Sequence, residues 1–94
     1  MPFDSLEEIK QEVRKLVIEA LKFENVKPEN ILDDVSLFSG ENIIKIDSID
    51  ALELVLAIQN KFIVKIDNNQ TPAWSILNTV NNIAEFVYSQ HHKV

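Results

Sequence analysis

The sequence predicts an all-α fold, a four-helix bundle of three longer helices and one short one joined by a long ordered first loop. Apolar residues recur at helical spacing over most of the chain. A single glycine in 94 residues leaves few of the positive-φ positions that tight β-hairpins favour. The one run that could pass for a strand, Ile63-Val64-Lys65-Ile66, has no partner to pair with. At 10.8 kDa the chain has room for one core, so residues 1–94 are expected to form a single domain.

The first helix is expected over about 5–23, capped by Asp4 or Ser5, with Glu7 and Glu8 at capping-box spacing. At 100° per residue, Leu6, Ile9, Val13, Leu16, Val17, Ala20 and Leu21 share one arc, with Lys10, Gln11, Arg14, Lys15 and Lys22 off it. Residues 24–46 break the rhythm with Asn25, Pro28, Asn30, Asp33-Asp34 and Ser39-Gly40. Ile31, Leu32, Val35, Leu37 and Phe38 make this stretch too apolar for a disordered linker. It is expected to pack across the helices, with short helical turns inside it.

The second long helix is expected over 48–62, starting at Asp47 or Ser48, with Asp47, Asp50 and Glu53 suiting a helix N-terminus. Its apolar residues cover more than one stripe, which predicts burial on several sides and a central place in the bundle. Thr71-Pro72 opens a short helix over 72–77, and Asn78-Thr79 a last one over 80–89. The tail 90–94 is expected to fray.

Composition excludes several functions. No cysteine means no disulfide framework, thiolate zinc site or thiol nucleophile. No Gly-rich phosphate cradle or EF-hand loop is present. The only histidines, His91 and His92, sit in the tail, a poor place for a catalytic triad or a metal site. The carboxylate pairs Asp33-Asp34 and Asp47/Asp50 lack the apolar surroundings that would tune one of them for acid catalysis. An enzyme is therefore not expected. The start carries acids where a secretory signal carries bases, and the longest apolar run, Leu54 to Ile58, cannot span a bilayer. A cytoplasmic location and no membrane insertion are expected.

The net charge of −6 is unevenly placed. Between Glu24 and Glu53 stand eight acids, Glu24, Glu29, Asp33, Asp34, Glu41, Asp47, Asp50 and Glu53, against Lys27 and Lys45. That field repels nucleic acid and anionic membranes and steers toward basic protein partners, unless the stretch is simply a solvated acidic loop. Ser48 stands beside it at a helix start, where an anion on its oxygen would meet free N–H groups and the positive end of the helix dipole. The sequence gives it no general base, so Ser48 is either a hydroxyl that another enzyme modifies or merely an N-cap, a role Asp47 could also fill.

The stretch Asp47-Ser48-Ile49-Asp50-Ala51-Leu52-Glu53-Leu54-Val55-Leu56-Ala57-Ile58, with Phe62 and Ile66 after it, resembles the modification-site helix of acyl carrier proteins. The register holds without a gap from Asp47 to Ile66. The opening amphipathic helix, Val26-Lys27-Pro28-Glu29 with Ile31, Leu37 and the Thr79-Val80 start extend the resemblance over nearly the whole chain. The resemblance implies a bundle of acyl-carrier type and a non-catalytic carrier. A holo-acyl-carrier-protein synthase or another phosphopantetheinyl transferase would attach 4'-phosphopantetheine from coenzyme A to Ser48. The arm's thiol, absent from the chain itself, would bear acyl groups. The resemblance also implies that Asp47, Ile49, Asp50 and Glu53 meet basic patches on acyl-transferring, condensing or ligase enzymes. Leu52, Leu56, Ile66, Ile76 and Leu77 would line an acyl cavity.

The chain departs from the family's pattern at Lys45, where glycine is usual two residues before the Asp. It departs again between Leu37 and Ser48, which is about three residues longer than usual and includes Ser39-Gly40, and at Gln59-Asn60-Lys61, where acids are common. These departures suggest a specialised carrier whose recognition depends on the start of the second long helix; a free-standing monomer is expected. A peptidyl, aminoacyl or D-alanyl carrier, or a helical interaction module without an arm, remain the alternatives.

Overall fold

The computed structural model of the chain describes residues 5–66 and 73–91, and every regular element among them is helical. In chain order these are α1 (Leu6–Leu21), a 3₁₀ turn (Pro28–Asn30), α2 (Ser48–Phe62), α3 (Ala73–Ile76) and α4 (Val80–His91). No helix among the described residues is long and apolar enough to cross a membrane.

Ser5 caps α1, its Oγ accepting from the Glu8 N–H at 3.1 Å; Asp4, the other candidate, lies outside the described residues. The helix stops at Leu21, short of the expected Phe23, because Lys22 turns left-handed (φ 57°) and the N–H groups of Lys22 and Phe23 both close on the Ile18 carbonyl. Ile9, Val13 and Val17 are fully buried along the predicted stripe.

α1 is the element against which both α2 and α4 pack. This corrects the expectation that the second long helix is central. α2 buries one face only, through Leu54, Ile58 and Phe62. Its surplus apolar residues Ile49, Leu52 and Leu56 stand exposed on the other side, uncovered by any helix among the described residues.

The connection from Lys22 to Asp47 folds back as expected. It contributes Ile31, Leu37, Ile44 and Ile46 to the core and contains the 3₁₀ turn. Backbone bonds fasten it to the far end of the chain: Leu37 N–H donates to Asn78 O at 2.7 Å, and Asn81 N–H to Asp33 O at 3.0 Å. Arg14 on α1 reaches Asp33 Oδ1 at 2.6 Å, so this acid serves the fold.

The start of the short helix at Thr71-Pro72 lies outside the described residues; within them α3 ends at Ile76, one residue before the expected Leu77. Thr79 caps α4, its Oγ1 accepting from Asn82 N–H at 3.0 Å. α4 runs two residues past the expected Ser89. Gln90 and His91 are helical where fraying was expected, and the His91 ring meets the carbonyl of Phe62 at 2.5 Å. Phe62 ends α2, whose last carbonyls lack intrahelical partners, so this bond ties the end of one helix to the end of another. A tertiary partner is what a fraying terminus otherwise lacks.

Candidate functional site at the start of helix α2

Local chemistry decides where α2 begins. Asp47 is the N-cap: Asp50 N–H donates to its Oδ1 at 2.9 Å, while Asp47 N–H donates back to Asp50 Oδ2 at 3.2 Å. The reciprocal box holds both carboxylates and fixes the entry of the chain. Ser48 is thereby the first helical residue rather than the cap. Its side chain is exposed, and its Oγ makes no hydrogen bond among the described residues. The N–H groups of Ser48 and Ile49, the first two of the helix, precede the first intrahelical donor and face the same end.

A phosphoester on Ser48 fits this end of the helix. The hydroxyl is free, the site is open, and both the uncommitted amides and the helix dipole favour an anion. Because Asp47 and Asp50 are held in the capping box, neither is positioned as a base dedicated to Ser48.

Asp33, paired with Arg14, is withdrawn from the acidic surface read in the sequence. The other acids of that stretch make no ion pair among the described residues. Glu24, Glu29, Asp34, Glu41, Asp47 and Glu53 are exposed, and Asp50 is half-buried.

The five cavity candidates separate. Ile66, Ile76 and Leu77 are in the core. Leu52 and Leu56 are not: they are 68% and 60% exposed, and with Ile49 at 70% they form an outward stripe. At 100° per residue these three fall within an arc of about 60° on the side opposite Leu54 and Ile58. In this structure Leu52 and Leu56 therefore line no interior space. Their outward course continues past the helix end to Ile63, which is also exposed.

Two features escaped the sequence reading. From Asn42 to Asp47 burial alternates strictly: Asn42, Ile44 and Ile46 face in, and Ile43, Lys45 and Asp47 face out. The alternation was visible as Ile44-Lys45-Ile46-Asp47, but residues 42–44 are bends and 45–47 irregular chain rather than a strand, with Ile46 N–H donating to Leu37 O at 2.8 Å. The second is Asn42 itself, a buried amide in the loop before α2. Its Oδ1 accepts from the N–H groups of Leu32 (2.9 Å) and Ile43 (2.8 Å), and its Nδ2 donates to the carbonyls of Leu32 (2.8 Å) and Val35 (3.0 Å). Gly40, at φ 83°, makes the turn before it.

No protein-family profile matches the chain. It is similar to curated proteins named acyl carrier protein from Buchnera aphidicola subsp. Acyrthosiphon pisum, in strains 5A, Tuc7 and APS. Each is 25% identical over 88 residues, spanning 94% of this chain and 99% of the relative. The likeness thus runs along almost the whole chain, as the sequence resemblance did.

Proposed function

We propose that this chain is a non-catalytic acyl carrier whose 4'-phosphopantetheine arm is attached at Ser48. The observation that carries the reading is the division of labour at the start of α2. Asp47 does the capping, and the adjacent serine is left exposed with a free oxygen. A serine needed for the helix would have its oxygen on a backbone N–H, as Ser5 has. The similarity to acyl carrier proteins over 94% of the chain supports the same reading.

A phosphopantetheinyl transferase would supply what the chain lacks. The Ser48 oxygen forms a bond to the phosphorus of coenzyme A that bears the pantetheine, the bond to the nucleotide half breaks, and the transferase takes the hydroxyl proton. When attached, the arm supplies a thiol that holds acyl intermediates of fatty acid, lipid or related biosynthesis as thioesters. The chain's own residues then orient and present. Free amides at Ser48 and Ile49 stabilise the phosphate, Asp47, Asp50 and Glu53 attract basic patches of partner enzymes, and Ile49 adds an apolar contact. Ile66, Ile76 and Leu77 remain the candidates to shelter an acyl chain, by parting from one another within the core. A monomer working in the cytoplasm suits such a role.

Intact mass after incubation with coenzyme A and a promiscuous phosphopantetheinyl transferase tests the proposal. One phosphopantetheine should add to the wild type and none to Ser48→Ala. No addition, or addition that survives the substitution, removes the carrier reading in favour of a helical interaction module.

A further inference from the structure

Apart from α2, the loop that precedes it carries a second built surface. Leu32 and Ile43 are ten or so positions apart in sequence, yet their N–H groups donate to the same oxygen, Asn42 Oδ1. The two backbones are therefore held side by side. Both side chains are largely exposed, Leu32 at 49% and Ile43 at 56%. Two large aliphatic side chains that could have turned inward, as Ile31 and Ile44 do, are instead fixed outward by a buried amide. Asp34 and Glu41 flank them in sequence, exposed and without an ion pair among the described residues.

We infer that the Leu32/Ile43 pair is a docking contact for the phosphopantetheinyl transferase that loads Ser48, meeting an apolar hollow edged by lysine or arginine side chains. The inference rests on the carrier reading and specifies its partner surface. Reach supports this occupant. Ile43 is five residues from Ser48, at most about 17 Å even along a fully extended chain. A protein–protein contact of ordinary size covers about 800 Å² on each partner, a disc of about 16 Å radius. The two lengths are comparable, so the rim of an enzyme seated over the Ser48 oxygen comes within reach of Ile43 and, through the shared amide, of Leu32. Charge supports it too, because the acids around the pair share the sign of Asp47 and Glu53 and call for the same basic partner. Asn42 orders the loop before any partner arrives, which removes an entropic cost of docking.

The test is steady-state loading of Ser48 by a phosphopantetheinyl transferase with coenzyme A, followed by intact mass. The wild type is compared with Leu32→Ser/Ile43→Ser and with Glu41→Lys, with circular dichroism melts to verify folding. The double variant should raise KM for the carrier about 10-fold and Glu41→Lys about 3-fold, with kcat within about twofold of wild type. Should the double variant melt early, Ile43→Ser and Glu41→Lys decide. Loading of the wild type with KM unchanged in the folded variants overturns the inference and leaves the carrier reading intact. A wild type that gains no mass overturns both.

Discussion

Helices α1 and α2 are almost equal in length, at 16 and 15 residues, and both open on a side-chain cap, yet they place their apolar residues differently. α1 has one apolar stripe and turns it into the core. α2 has two, and only the one through Leu54, Ile58 and Phe62 is covered. A helix apolar on two sides usually lies between neighbours. Here the second side is left exposed, so its residues add little to folding and are available for contact with another molecule. The difference teaches that apolar content measures the surface a helix can bury, whether in its own fold or in a complex.

That comparison breaks most visibly in stability. Leu54→Ala, in the covered stripe, should lower the unfolding free energy by about 3 kcal/mol in urea titrations, the cost of a buried Leu truncated to Ala. A loss of the same size for Leu56→Ala, two positions along, would mean that the outer stripe is core after all. Asn42→Ala should cost about 2 kcal/mol, because it leaves two N–H groups and two carbonyls in the loop without their amide partner. Asp47→Ala removes the cap of α2 and should cost about 1 kcal/mol. The same change at Ser5 tests whether the two helices depend equally on their caps. Smallest of all, Leu52→Ala and Leu56→Ala should stay within about 0.5 kcal/mol of the wild type. If these residues serve docking, the same variants should raise KM for loading.

The contrast also separates what was legible from what was not. The capping pairs at Ser5/Glu8 and Asp47/Asp50 join residues three apart, so residue types at fixed spacing reveal them. The free Ser48 oxygen was half legible. Two neighbouring residues could each have capped α2, and only the backbone geometry assigned the bond to Asp47. Leu52 and Leu56 were misplaced because helical periodicity groups residues by face without saying which face a neighbour covers. The helical reach of His91 depended on Phe62, 29 positions earlier, and no local pattern carries such a bond.

By itself the sequence determined the helices, the starts of α1, α2 and α4, the acidic stretch and the serine beside it, because hydrogen-bond capping and the 3.6-residue period act within one or two turns of chain. Only the tertiary structure decided the rest. It made α1 the shared support, left the Ile49, Leu52 and Leu56 side of α2 outside, spent Asp33 on Arg14, and pinned Leu32 and Ile43 on one buried amide. Each of these depends on which distant segment arrives at a surface, a matter settled by packing the whole chain around one small core.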